Sequence, residues 1–204
     1  MLTLYYAPGA CSLAAHIVLE ESGEKYEAKR VDLGKGEQRT ESYLKIHPQG
    51  RVPALLLDNG EPLTENTAIL PYLGKRFGLW PKDPAAEARA LSTIGFYAST
   101  VHPAHAHISR PERYATDTAH FPNIQETGRK AFYGYLQQID RHLAGRQWLS
   151  DQFSVLDPYA LTFYSWGLRR ELPVGELKSY TSHKDRMMLR PAVRRVIEEE
   201  KVKV

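Results

Sequence analysis

Cysteine is nearly absent from this chain, and its scarcity excludes disulfide-stabilised folds. Cys11 is the single cysteine among 204 residues, so neither an internal disulfide nor a C-x-x-C redox pair can form. A lone free thiol fits a reducing compartment. The first residues also lack the basic and then apolar pattern of a secretory signal, so we expect a cytoplasmic protein.

Long apolar runs and blocks of like charge are missing as well. No stretch approaches the roughly 20 apolar residues of a membrane span, so no membrane association is expected. The net charge is only +3, and basic residues are mixed with acidic ones, which argues against nucleic acid as a partner. Even the most basic region, residues 186–203, contains three consecutive glutamates and is interpreted as a solvated helix face.

A metal site is not expected either, although three histidines lie close together at His102, His105 and His107. Their spacing does not match the i, i+4 pair of a zinc-binding helix, and no acidic ligands are nearby. Pro103 is expected to interrupt the local helix. The cluster therefore predicts no bound metal.

Two periodicities alternate in the first third of the chain and predict a small α/β domain. Asp58-Asn59-Gly60 is a strong hairpin signal, and Thr64 stands where a helix N-cap is expected. The predicted elements are strands at 2–6, 26–31, 52–57 and 61–63, a helix at about 12–21, and a second helix that begins after Thr64 and ends near Gly78.

Strand signals largely disappear after a proline-rich stretch, and helical patterns replace them. This change predicts a first domain at 1–78, a linker at 79–84 and an all-helical domain at 85–204. Helices are expected at about 85–101, 125–143, 156–170 and 191–201. Ser154 and Asp157 have the spacing of a reciprocal helix cap, which is a folding role.

Cys11 follows a predicted strand and loop and precedes a helix, which is a position favourable for thiol chemistry. Unpaired N–H groups and the positive end of the helix dipole should lower the pKa of its thiol. The alternative is a small buried hydrophobic residue, and the position alone does not decide between them. Ser12 is a second candidate donor, with helix capping as its structural alternative.

Two further segments suit a peptide-like ligand. A cis Val52–Pro53 bond would expose the Val52 backbone, although spacing alone favours an ordinary trans proline at the start of a strand. The helix start at Glu65 and Asn66 could bind the carboxylate and ammonium groups of an amino acid. A plain helix start with an acidic first turn is the alternative.

Taken together, these segments resemble the cytosolic glutathione transferases, and the bacterial beta class in particular. The resemblance is carried by YYAPGACSL at 5–13, PQGRVPAL at 48–55 and LTENTAI at 63–69, and it continues through FSVLD at 153–157 and RPAV at 190–193. It implies a thioredoxin-like first domain, an all-helical second domain, a homodimer, glutathione as co-substrate and a cis Pro53.

The resemblance also assigns roles to individual residues. It implies catalytic roles for Cys11, Ser12 and His102. It implies glutathione binding by Cys11, Lys35, Arg51, Val52, Pro53, Glu65, Asn66, Ser99 and His102. It implies an electrophile pocket at Ala7, Pro8, Tyr114 and Trp166. Lys35 lies in a loop that the family pattern lacks, so a solvated lysine is an equal alternative.

Two positions depart from the beta-class pattern. Pro103 follows His102 where that class usually has lysine, and Gly95 stands where it often has asparagine. Three functions therefore remain open. The first is conjugation of the glutathione thiolate to small apolar electrophiles. The second is disulfide reduction through a Cys11 mixed disulfide that a second glutathione resolves. The third is a non-catalytic carrier of glutathione or a hydrophobic ligand.

Overall fold

The computed structural model describes all residues, 1–204, and begins with a four-stranded mixed sheet. The strands are β1 (Thr3–Tyr6), β2 (Glu27–Arg30), β3 (Ala54–Leu56) and β4 (Pro62–Thr64). Their order is β2-β1-β3-β4, with β1 and β2 parallel and the other two pairings antiparallel. The helices of this part are α1 (Ser12–Ser22), α2 (Glu41–Leu44) and α3 (Asn66–Phe77). This is the predicted thioredoxin-like arrangement.

The rest of the chain is helical, as predicted. Its helices are α4 (Pro84–Phe96), α5 (His102–Ser109), α6 (Phe121–Leu143), α7 (Leu156–Arg169), α8 (Lys178–Leu189) and α9 (Pro191–Glu200). No helix is both long and apolar enough to cross a membrane. Helix α8 was not predicted, because most of its residues are polar and only Tyr180, His183 and Met187 are buried.

One predicted helix break is wrong. Pro103 was expected to interrupt the helix, yet the chain passes from α4 through a π-helical segment, Tyr97–Val101, directly into α5. Pro103 occupies the second residue of α5. A proline is tolerated there because the wider π turn absorbs the missing i to i−4 hydrogen bond. The helix therefore continues past the site and directs His102 and His105 to the same side.

Helix α1 joins the two parts of the molecule. All residues from Ser12 to Leu19 are buried, because α1 packs against α3 on one side and against α7 and α9 on another. Leu13 and Ile17 belong to a core cluster with Leu161 and Val193 from the helical part. Burial of each such side chain stabilises the fold by roughly 1.5–3 kcal/mol. The position of Cys11, at the start of α1, is fixed by this packing.

The predicted cap of α7 is present. The Ser154 N–H donates to Asp157 Oδ2 at 2.8 Å, and the Leu156 N–H donates to Ser154 Oγ at 3.3 Å. Asp157 also accepts from the Leu149 N–H and lies 2.9 Å from His183 Nε2. These buried contacts tie α7 to α8 and hold the helix that carries Trp166.

Candidate active site

A cleft between the sheet and the helical part contains two adjoining cavities of about 270 Å³ and 800 Å³. We call the side formed by residues 8–11, 51–53 and 65–66 the sheet wall. We call the side formed by α5, the turn after it and the end of α7 the helical wall. Both cavities are lined by Cys11, Arg51, Val52, His102 and Arg113. They therefore form one continuous site.

The loop before Cys11 is held by the helical part. Gly9 has φ +63°, and its N–H donates to the Glu200 carboxylate at 2.7 Å. The Gly9 carbonyl accepts from Trp166 Nε1 at 2.9 Å and from the Arg169 guanidinium. Trp166 and Pro8 both line the larger cavity, as the family resemblance implied. These bonds make the shape of the sheet wall depend on α7 and α9.

Cys11 is partly buried at the floor of both cavities. Its Sγ donates to the Val52 carbonyl at 3.2 Å. Burial raises the pKa of the thiol to about 12, although the nearby positive charge of Arg110 acts to lower it. The expectation of a lowered pKa is therefore wrong, because desolvation of the thiolate outweighs the favourable helix position. The group acts as a hydrogen-bond donor at neutral pH.

The segment from Arg51 to Pro53 presents main-chain groups to the cleft. The Val52–Pro53 peptide bond is cis, as the resemblance implied. The Arg51 carbonyl is held by the Tyr43 hydroxyl at 2.7 Å, while the Val52 N–H makes no hydrogen bond within the protein. An extended peptide could pair with this N–H, in the way that a strand pairs at a sheet edge.

The start of α3 differs in detail from its prediction. Glu65, not Thr64, is the N-cap residue, and it has φ +68° with no side-chain cap hydrogen bond. The first N–H groups of α3 therefore have no side-chain acceptor, which leaves a site suited to a carboxylate. Asn66 Nδ2 donates to the Cys11 carbonyl at 2.9 Å. Glu65 and Asn66 both line the smaller cavity.

Three aromatic rings in mutual contact through Trp166 form the base of the helical wall. The His102 ring lies 4.9 Å from that of Trp166, and the His105 ring stacks on Trp166 at 4.2 Å. Burial, with nearby arginines, lowers the pKa of His102 to about 4 and that of His105 further. Both imidazoles are therefore neutral at pH 7, and neither adds positive charge to the cleft.

Arginine dominates the lining of the larger cavity. Six arginines contribute to it: Arg39, Arg51, Arg110, Arg113, Arg169 and Arg170. Glu112 is the one acidic residue in the lining, and only five of the 19 lining residues are hydrophobic. The sequence predicted an apolar electrophile pocket here. The arginines were not part of that prediction, because they come from separate turns that only the tertiary fold brings together.

Several residues assigned by the resemblance do not line either cavity. Lys35 is exposed and lies 3.9 Å from Asp32, so its interpretation as a solvated lysine is the better one. Ser99 is exposed and donates to the Gly95 carbonyl. Ser12 is buried and bonds both the N–H and the carbonyl of Ala7. The buried Ala7 packs with Val31 and Val52. These contacts give Ser12 and Ala7 structural roles in this chain.

The smaller cavity is lined by one further residue that was predicted and by two that were not. Tyr114 was expected and lines the smaller cavity, stacked on His107 at 3.8 Å. His47 and Tyr159 line the same cavity but lie in no recognised motif. Both are nearly fully buried, and a buried polar side chain cannot be recognised from spacing alone.

The sequence and the fold of this chain match known proteins of one family. Residues 1–75 match the model of the glutathione S-transferase N-terminal domain. The chain is 32% identical to glutathione S-transferase GstA of Escherichia coli O157:H7, over 99% of this chain and 100% of that protein. This chain belongs to the glutathione S-transferase family. It is therefore a glutathione transferase, and its relatives include bacterial enzymes.

Solved structures of bacterial glutathione transferases have the same fold. A homologue from Sulfitobacter with bound glutathione matches with a TM-score of 0.92 and 33% identity over 98% of each chain. The beta-class enzyme of Sphingomonas chungbukensis matches with a TM-score of 0.85 and 30% identity, over 97% of this chain and 98% of that one. The predicted resemblance and the fold class of this transferase are thus confirmed.

Proposed function

We propose that this glutathione transferase binds glutathione along the sheet wall and conjugates its thiolate to small electrophiles held against the helical wall. The observation that carries this proposal is the shared floor of the two cavities. There a protonated Cys11 thiol lies between the Val52 backbone and the arginines of the larger cavity. A sulfur bound at this point can reach a second molecule without leaving the sheet wall.

The sheet wall has a complementary group for each part of the tripeptide. The γ-glutamyl carboxylate would bind the free N–H groups at the start of α3, and the Glu65 carboxylate would bind the ammonium group. The Val52 N–H would pair with the peptide backbone. Arg51, which lines both cavities, would bind the glycyl carboxylate. Two carboxylates and one ammonium are thereby matched.

Cys11 would assist the reaction as a donor. With a pKa of about 12 it remains a thiol, and its hydrogen can rotate from the Val52 carbonyl toward the glutathione sulfur. The positive charge of Arg110 acts to lower the pKa of Cys11, and it would lower the pKa of the glutathione thiol for the same electrostatic reason. The glutathione thiol loses its proton to water in the open cleft. The thiolate then forms a carbon–sulfur bond while the leaving group, such as chloride, departs with its bonding electrons.

Disulfide reduction is a weaker candidate for this site. A mixed disulfide on Cys11 requires attack by the Cys11 thiolate, and burial keeps the Cys11 thiol protonated at neutral pH. A carrier without catalysis would bind glutathione by the same groups. The three functions therefore differ in which activity is present and in whether it depends on Cys11.

One set of measurements separates them. Wild type and Cys11→Ala should be compared for glutathione binding by calorimetry, for conjugation of a chlorodinitrobenzene and for reduction of a glutathione mixed disulfide. We expect glutathione binding and conjugation in both proteins, with the conjugation rate of Cys11→Ala reduced about tenfold or less. Disulfide reduction that exceeds conjugation and is lost in Cys11→Ala would support the reductase. Binding without either activity would support the carrier.

Domain limits and assembly also belong to this proposal. We propose a first domain at 1–78, a linker at 79–84 and a helical domain at 85–204; α3 ends at Phe77, and α4 begins at Pro84, the last residue of this linker. From the family resemblance we expect a cytoplasmic homodimer. Light scattering coupled to size-exclusion chromatography measures that assembly directly.

A further inference from the structure

The arginines of the larger cavity have no carboxylate partners within the protein. Arg76, Arg190 and Arg195 each pair with a carboxylate within 4 Å on the protein surface. All six arginines that line the larger cavity lack a carboxylate within that distance. The fold therefore concentrates unpaired positive charge at this point of its surface.

Two of the cleft guanidinium groups make hydrogen bonds within the protein. The Arg169 guanidinium donates to the Gly9 carbonyl, and Arg170 Nε donates to His105 Nε2 at 3.5 Å. The Arg170 carbonyl in turn accepts from Arg129. Arg110 directly precedes a short 3₁₀ turn, Pro111–Arg113, after α5, and Arg113 is the last residue of that turn. These contacts direct charge into the cleft.

This arrangement costs free energy in the absence of an anion. Burial and the neighbouring guanidinium groups lower the pKa of Arg113, with Arg110 and Arg51 as the charged neighbours. The pKa of Arg170 falls for the same reasons, through Arg129 and Arg110. Like charges that repel in a partly desolvated site are stabilised when a ligand brings negative charge.

Glutathione alone does not account for so many cations. On the proposed function, the α3 start and Arg51 take its two carboxylates, and Arg110 acts on its sulfur. Arg113 at one side of the helical wall and Arg170 at the other remain without an assigned anion. Arg113 lines both cavities, and Arg170 lines the larger one. Their charges face the space where the second substrate must enter.

We propose that the second substrate of this enzyme is an acidic electrophile, whose carboxylate groups bind Arg113 and Arg170 while its reactive carbon faces the glutathione sulfur. The guanidinium fork binds a carboxylate through two parallel hydrogen bonds, which fixes orientation as well as charge. The proposal rests on the proposed function and narrows its substrate class from small electrophiles in general to those that carry a carboxylate.

A matched pair of substrates tests this proposal. Chloronitrobenzoate and its methyl ester share the same leaving group, but only the acid carries a negative charge. Rates should be measured at saturating glutathione and divided by the uncatalysed rate of each compound. We expect Arg113→Gln/Arg170→Gln to raise the KM for the acid about tenfold more than the KM for the ester, since a charged hydrogen bond is replaced.

Arg89→Gln/Arg194→Gln is the matched control, because Arg89 on α4 and Arg194 on α9 are exposed, lie outside the cleft, and together lose the same two charges. Equal effects of the double variant on acid and ester would overturn the proposal. If the ester is conjugated and the acid shows no advantage in wild type, the substrate class is wrong while the proposed function stands. If neither is conjugated, the proposed function fails.

A binding measurement keeps the proposal testable without turnover. Nitrobenzoate, which lacks a leaving group, should bind to the glutathione-loaded protein in calorimetry, and methyl nitrobenzoate should bind more weakly. The acid should lose its advantage in Arg113→Gln/Arg170→Gln and at high ionic strength. An advantage of the acid that persists in the double variant would contradict the assignment of its carboxylate to these arginines.

Discussion

The sheet wall and the helical wall of the cleft recognise ligands by different means. The sheet wall offers main-chain groups, the Val52 N–H and the free start of α3, whose positions follow from the backbone. The helical wall offers charged side chains from two separate turns, around the His105 ring, which is stacked on Trp166. A wall made of backbone suits one fixed peptide, whereas a wall made of side chains can change its specificity by substitution.

The two walls are nevertheless mechanically connected. Glu200, at the end of α9, accepts the Gly9 N–H and lies 2.8 Å from His16 Nδ1, and its side chain is buried with that of His16. The Gly9 carbonyl accepts from α7 on the opposite side. The loop that leads to Cys11 is therefore positioned by residues distant in sequence. Substitutions that remove these contacts should have the largest effect on the free energy of unfolding.

Substitution of Glu200 should weaken the connection between the walls. Glu200→Gln keeps the shape but removes the charge from two buried hydrogen bonds, so we expect the free energy of unfolding to fall by about 2–3 kcal/mol. Urea denaturation measures this loss. Glu198→Gln, on the exposed side of α9, should change it by less than about 0.5 kcal/mol. Equal losses in both variants would contradict a role for the Glu200 contacts.

A glycine substitution should damage the sheet wall alone. Gly50 has φ +60°, and a Cβ there would lie 2.7 Å from the Gln38 carbonyl. Gly50→Ala should therefore lower the free energy of unfolding by about 2 kcal/mol, and it should weaken glutathione binding because Arg51 and Val52 follow directly. Calorimetry and urea denaturation check the two effects.

Gly36→Ala is the matched control for that substitution. Gly36 has φ +76°, but a Cβ there would have no neighbour within 4 Å. We expect only the backbone strain, about 1 kcal/mol, and unchanged glutathione binding. If Gly36→Ala weakened glutathione binding as much as Gly50→Ala, general loosening of the loop would explain both, and the contact with Gln38 would not.

The smallest expected effect concerns the reactivity of Cys11 toward alkylation. A pKa raised to about 12 means that the folded protein holds the thiol proton through the neutral range, and the thiolate appears only at strongly alkaline pH. Iodoacetamide should therefore modify Cys11 more slowly than it modifies free cysteine at every pH from about 6 to 9. Unfolding in urea should restore the ordinary rate. Faster alkylation in the folded protein at neutral pH would show a lowered pKa instead.

Local sequence signals predicted much of the sheet wall and the general fold. Prolines, glycines and helix starts act on their immediate neighbours, so the motif around Cys11, the Val52–Pro53 segment and the beginning of α3 could be recognised. The N-cap was misplaced by one residue, because the chain turns at Glu65 with positive φ instead of using the Thr64 side chain.

The character of the helical wall could not be predicted in this way. Arg113 and Arg170 are separated by 57 positions (170 − 113), and only the packing of α5, α6 and α7 brings them to one cavity. The pKa of Cys11 was misjudged for a related reason. Helix position is local, whereas desolvation depends on everything that packs around the sulfur.

The pKa of glutathione bound in the cleft is the most direct test of the account. It can be followed by the ultraviolet absorbance of the thiolate as the pH is raised, in wild type and in Arg110→Gln. We predict a pKa at least about one unit below the ordinary thiol value of about 8.5 in wild type, and a higher pKa in the variant. Bound glutathione that titrates like the free thiol would contradict thiolate stabilisation at this site.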